Sequence, residues 1–194
     1  MFGDPAAALL VVGLAPGMHG ANRTGRPFTG DFAGILLYRT LHAHGFANHA
    51  GSADPADGLT LAGCRVTNAV KCLPPQNKPT PAETRTCNRF LAEELRRFPP
   101  RVILALGRVA HEAVLMAFGL KSKAFPFGHH AVHTLPNGMR VFDSYHCSRY
   151  NTQTKRLTDA MFDAIVAEIA AELRHLPTPR PGTASPRIAH TPDV

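Results

Sequence analysis

The 194-residue chain contains no tryptophan and only 4 cysteines, at positions 64, 72, 87 and 147. None of the cysteines forms a C-x-x-C pair, which argues against a secreted scaffold stapled by disulfides. No apolar run approaches the roughly 20 residues that span a bilayer, and the first residues lack a basic region followed by a long apolar one. A soluble, intracellular protein with no membrane partner is expected. Two familiar phosphate loops are also missing. No G-x-G-x-x-G follows the first apolar run, and the nearest P-loop spacing, Gly20 to Gly25, is followed by Arg26-Pro27 where Lys-Ser or Lys-Thr is required. Acidic residues are outnumbered, 14 against 21 Lys and Arg, so the formal net charge is +7 and the pI near 9.7. That balance favours an anionic partner such as nucleic acid.

What is present is enough apolar content, 44%, for one sizeable core. Leu9 to Val12 reads as a short buried strand, and a glycine-rich loop follows it to Asp31. Phe32 to Leu41 reads as a helix with Ile35, Leu36, Leu37 and Leu41 on its apolar face. His49 to Gly58 is polar and rich in Gly, Pro and Asp, a surface loop with no evident chemistry. Arg65 to Val70 is a second strand, Pro79 to Pro81 opens a helix reaching about Phe98, and Val102 to Leu106 is a third strand. A helix from about Val109 to Phe118, a turn-rich and histidine-rich approach from Phe125 to His133, a last strand at Met139 to Phe142 and a final helix from Thr158 to Arg174 complete the order. The alternation predicts an α/β fold, a three-layer α/β/α arrangement around a mainly parallel central sheet. Residues 1–176 form one domain. Residues 177–194, where prolines interleave with Arg180, Arg187, Ser and Thr, read as a disordered tail.

The loop after the first strand contains Gly13-Leu14-Ala15-Pro16-Gly17, then His19-Gly20, Asn22-Arg23-Thr24-Gly25-Arg26 and Phe28-Thr29-Gly30-Asp31. Further along stand Ala69-Val70-Lys71-Cys72-Leu73-Pro74-Pro75 with Asn77-Lys78-Pro79-Thr80-Pro81, then Ser144-Tyr145-His146 with Ser148-Arg149 and Asn151-Thr152-Gln153-Thr154. In order and spacing these three stretches resemble the motifs of the uracil-DNA glycosylase superfamily, most closely its family 5, from about Phe2 to Glu172. The resemblance implies the fold of that superfamily and a DNA-repair enzyme that rotates uracil out of double- or single-stranded DNA. It would hydrolyse the bond from base to sugar and leave an abasic site; hypoxanthine and xanthine are possible further substrates. A monomer acting in the cytoplasm on nucleoid DNA is implied. The competing reading is a catalytically silent DNA-binding module of the same fold.

The resemblance also assigns residues. Asp31 becomes the carboxylate that orients or activates water, while Ala15 stands where other branches carry Asp or Asn; the plain alternative for Asp31 is a helix N-cap. His146 donates a hydrogen bond to the departing base as negative charge grows on it. Asn77 positions substrate or water, or is simply a turn residue before Lys78-Pro79. Phe28 stacks on the extruded base or is a core side chain. Asn68 pairs with the uracil edge, its amide both donating and accepting. Ala15, Pro16, Gly17 and His19 line the base site. Arg149 and Asn151 meet DNA at the minor groove or phosphates, unless they belong to a solvated loop. Families 4 and 5 hold a [4Fe–4S] cluster on four cysteines, of which Cys72 and Cys87 match the later two. The earlier two have no counterpart, so the chain start is either truncated or the cluster is lost, and Cys64 and Cys147 read as ordinary thiols.

Overall fold

A computed structural model describes residues 1–175; the expected tail at 177–194 lies outside the described residues. The elements run β1 (Phe2–Gly3), β2 (Leu9–Gly13), α1 (Ala21–Thr24), α2 (Phe32–Ala43), β3 (Cys64–Asn68), α3 (Pro81–Arg97), β4 (Val102–Leu106), α4 (Arg108–Ala117), β5 (Val132–Thr134), β6 (Arg140–Ser144), α5 (Arg149–Gln153) and α6 (Asp159–His175). They form one six-stranded sheet in the order β1-β3-β2-β4-β6-β5. The four inner strands are parallel and the two edges antiparallel.

β2 explains the layering. All five of its residues are buried, and alternate side chains of a strand face opposite sides of the sheet. Leu9 and Val11 therefore pack with Leu37 and Leu41 of α2 and Phe162, Ile165 and Ile169 of α6. Leu10 and Val12 pack with Leu91 and Leu95 of α3 and Ala110 and Val114 of α4. Two cores thus lie on the two faces of one sheet. α3 begins where it does because Thr80 and Glu83 cap it reciprocally: the Glu83 amide donates to Thr80 Oγ1 at 3.2 Å and the Thr80 amide to Glu83 Oε2 at 2.6 Å. Pro81 occupies the first turn, where its missing N–H costs nothing.

Parallel pairing also fixes where the site must be. Gly13 pairs with Asn68, and Leu106 with Ser144, so β2, β3, β4 and β6 end together on one side. β2 lies between β3 and β4 although both follow it in the chain. Ligands of such sheets bind at the crevice outside the carboxyl ends, at the strand where the order reverses.

Several elements differ from the sequence reading. The strand expected to reach Val70 ends at Asn68, and the last strand runs on to Ser144. β1 and β5, of two and three residues, hold the sheet edges; β5 begins within the stretch read as a histidine-rich turn and runs one residue past its end. Short helices α1 and α5 interrupt two stretches expected to be loops.

Candidate active site

A cleft of about 180 Å³ opens at those strand ends, lined by Ala15, Gly17, Phe28, Asp31, Phe32, Ala33, Asn68, Asn77, His146, Ser148 and Arg149. Drug-sized ligand sites are larger, roughly 300–1,000 Å³, so this one suits a single small ring. All three motif stretches contribute to its walls.

Asp31 sits at the N-cap position of α2 with extended backbone, φ −95° and ψ 147°, but its side chain makes no capping bond. The carboxylate turns instead toward the loop after β2. A Cβ at Gly17 would stand 2.6 Å from Asp31 Oδ1, and one at Gly20 would overlap the carboxyl group outright. These two glycines therefore exist as space for Asp31. Burial raises its pKa above the ordinary carboxylate value, against the opposing pull of the Ala21 amide and the nearby His19. A carboxylate kept half-desolvated without a cap is costly to the fold and suited to acid–base work.

His146, on the loop after β6, lines the same cleft. Burial lowers its pKa to about 4, so near neutral pH its imidazole is uncharged, with one N–H to donate. Its ring stacks on Phe28 with centroids 5.9 Å apart and an interplanar angle of 28°. Phe28 is itself strained, with φ 60°. It is held there from both sides: Tyr38 donates to the Pro27 carbonyl at 2.6 Å, and the absence of a Cβ at Gly34 admits the Phe28 carbonyl. Below them Gly13 leaves room for the tips of Phe28 and Asn68, since a Cβ there would fall 2.5 Å from both Phe28 Cζ and Asn68 Oδ1. Asn68 is buried, and its Oδ1 has no hydrogen-bond partner. A buried amide oxygen left open toward a cavity is an acceptor awaiting a ligand's donor.

The remaining expected residues lie at the rim. Asn77 ends a tight turn in which Gln76 and Asn77 both take positive φ, 52° and 56°, and its exposed side chain reaches the cleft. Arg149 lines the mouth with its guanidinium 4.9 Å from the ring of exposed Phe32. Asn151 does not line the cleft. Its Nδ2 donates to the His146 carbonyl at 2.9 Å, so it fixes the loop that carries the histidine. His19 is exposed and also off the lining. Pro16 lines a neighbouring cavity beside Asn68 and Lys71. Lys71 is tied down there, donating to Glu94 Oε2 at 2.7 Å, the Asn68 carbonyl at 2.8 Å and Thr67 Oγ1 at 2.9 Å.

Sequence reasoning missed how the 49–58 loop serves the site. Buried Arg26 donates to Asp57 Oδ2 at 2.6 Å, the Asp54 carbonyl at 2.7 Å, Ser52 Oγ at 3.0 Å and Thr29 Oγ1 at 2.6 Å. That contact holds Asp57 at a pKa of about 2. The loop is thus a brace for the motif bearing Phe28 and Asp31. Its only sequence signal was a cluster of polar residues able to satisfy an arginine. Phe32 and Ser148 were likewise passed over as wall residues.

The implied [4Fe–4S] group can be tested against its donors. Cys87 is buried on α3 and Cys72 exposed, while Cys64 and Cys147 lie in the core under α2 and α6, where burial lifts both thiols far above their ordinary range. Cys64 and Cys147 thus lie on the opposite face of the sheet from α3, which carries Cys87. Four thiolates are required, so the described residues do not fit the cluster by themselves.

Fold and cleft together describe an α/β protein whose parallel strands end at a small cleft walled by a partly buried carboxylate and a neutral imidazole. The model of the uracil DNA glycosylase superfamily matches residues 1–170. The type-5 uracil-DNA glycosylase of Thermus thermophilus is 53% identical over 168 residues, 86% of this chain and 76% of that protein. That of Mycobacterium tuberculosis is 45% identical, over 86% of this chain and 63% of its own length, and that of Pyrobaculum aerophilum 42%, over 88% and 74%. This chain belongs to the uracil-DNA glycosylase superfamily.

Proposed function

We propose that the chain is a monofunctional uracil-DNA glycosylase. Uracil turns out of the DNA stack into the cleft, the bond from its N1 to the sugar C1′ breaks, and water supplies the new C1′ oxygen. The observation that carries this reading is that uncapped Asp31 and His146 both line one small cleft at the strand ends. Asp31 orients the water and takes up its proton as the sugar develops positive charge. The bonding electrons leave with the base, and the His146 N–H stabilises the carbonyl oxygen on which that charge collects. Phe28 supports the flat face of the ring. The open Asn68 oxygen accepts the imide N–H of uracil, whereas cytosine presents a bare N3 there. Hypoxanthine and xanthine carry a similar N–H beside a carbonyl and are proposed as slower substrates. Asn77 positions the substrate at the mouth and Arg149 meets the backbone beside the extruded nucleotide.

The protein acts as a monomer on double- or single-stranded DNA in the cytoplasm, at the nucleoid. Among the described residues no helix is long and apolar enough to cross a membrane. Cys72 and Cys87 supply two thiolates toward a [4Fe–4S] cluster only if others join them, and no chemical step above depends on one.

The test is a duplex containing a single uracil. Free uracil and an alkali-labile site, with the strand intact before alkali, are expected. Tight binding with uracil retained would favour the silent DNA-binding module instead.

A further inference from the structure

Where α4, β5 and β6 pack together, three side chains meet that the reaction does not use. His111 of α4 and Asp143 of β6 are wholly buried, and His133 of β5 retains only 13% exposure of its side chain. His111 Nδ1 lies 2.8 Å from Asp143 Oδ1, and His133 Nε2 lies 3.5 Å from Asp143 Oδ2. One donor atom from each residue falls within 4.8 Å of the others. The far nitrogen of His111 is already committed: Nε2–H donates to the Phe125 carbonyl at 2.8 Å.

We propose that His111 Nδ1, His133 Nε2 and Asp143 bind one zinc ion. Two features favour an ion over a plain polar network. First, Asp143 Oδ2 and His133 Nε2 are both buried without a hydrogen-bond partner although they face each other. A separation of 3.5 Å is too long for a good hydrogen bond, and orphaned buried groups of this kind need an explanation. Second, His111 has the form of a metal ligand, with one ring nitrogen turned to the group and the other fixed on a backbone carbonyl. Two imidazoles and a carboxylate suit zinc, with a fourth position left to water. His133 gives that position its route to solvent. Phe125 and Phe127 flank the imidazoles, with ring centroids 5.8 Å from His133 and 5.7 Å from His111. On binding, the ion takes the lone pair of His111 Nδ1, and any proton there leaves to solvent.

The ion would pin α4, β5 and β6 together three residues before His146. The inference does not depend on the glycosylase reading, because its test reads metal rather than base release. Chelator-treated full-length protein is titrated with zinc chloride and followed by calorimetry and thermal unfolding. One zinc per chain and a Tm that climbs with zinc concentration are expected. Cobalt(II) in place of zinc should give the visible absorption of a nitrogen- and oxygen-bound site without the intense band of thiolate ligation. His133→Ala, at a part-exposed edge strand, should lose the binding, the Tm rise and the cobalt spectrum, and His133→Gln carries the same test should the alanine variant not fold. The double variant Cys72→Ser/Cys87→Ser should keep all three. No zinc uptake, uptake that survives both His133 substitutions, or uptake lost with the cysteine pair would each overturn the proposal.

Discussion

Two side chains carry the proposed chemistry, and their protonation gives opposite contributions to stability. The folded pKa of Asp31 is raised by burial, so its ionised form costs the fold stability at neutral pH, a cost relieved as pH falls through the folded value. Asp31→Asn should therefore raise Tm while lowering base release by about 10²- to 10⁴-fold, the usual worth of a positioned acid or base. Thermal unfolding and single-turnover kinetics on one preparation check both halves. The pKa of His146 is lowered to about 4, so the unfolded chain takes up its proton first as pH falls. The stability this gives is full above the ordinary histidine value and is lost between there and about 4. Because the imidazole is already neutral, base release should rise from the acid side as Asp31 ionises and then level off, with no further step at the ordinary histidine value. A fall in rate with the pKa of an ordinary histidine would mean that the imidazolium is the working form. At Gly20 there is no room for a Cβ beside the Asp31 carboxyl, so Gly20→Ala should displace the carboxylate and reduce turnover as severely as its removal.

The elements around the site were unequally legible. The apolar runs of β2 and β4 declared themselves, since strands buried on both faces read as continuous hydrophobic stretches, and the prolines at 79 and 81 marked the start of α3. β1 and β5 had no such signal because they are short and their residues only half-buried; their pairing comes from neighbours distant in sequence. The position of Asp31 was legible from its motif, but not that it stands at a helix N-cap without capping, which only the fold of the preceding loop decides. The His111–His133–Asp143 group was invisible for the same reason, its members coming from three elements. The brace from the 49–58 loop was missed because one buried arginine gives those polar residues their purpose. Without Arg26 the Thr29 and Ser52 hydroxyls and the Asp54 carbonyl lose their donor, while Asp57, with an 18% exposed side chain, can turn to water. Arg26→Ala should accordingly lower stability by roughly 1–3 kcal/mol, measured by denaturant unfolding. For α5, Asn151 holds the His146 carbonyl. Asn151→Ala should reduce kcat more than it raises KM, since the group it frees acts on the leaving base rather than on DNA binding.

For the whole molecule, a net charge of +7 should make DNA affinity fall steeply and linearly on a logarithmic salt scale, whereas the chemical step of bound substrate should hardly respond. Among the described residues no lysine lines the cleft, and Lys71 beside it is bound to Glu94, Thr67 and the Asn68 carbonyl. Borohydride should then trap no covalent complex with DNA. The proposed hydrolysis is the work of Asp31 and His146 on a base bound in the cleft they line. Its most direct test is single-turnover release of uracil from a duplex by the unsubstituted protein and by Asp31→Asn, with binding of the same duplex measured for both. Rapid release by the first, release slowed at least about 100-fold in the second, and closely similar binding are expected. Equal release by the two proteins, or none by either despite tight binding, would contradict the account.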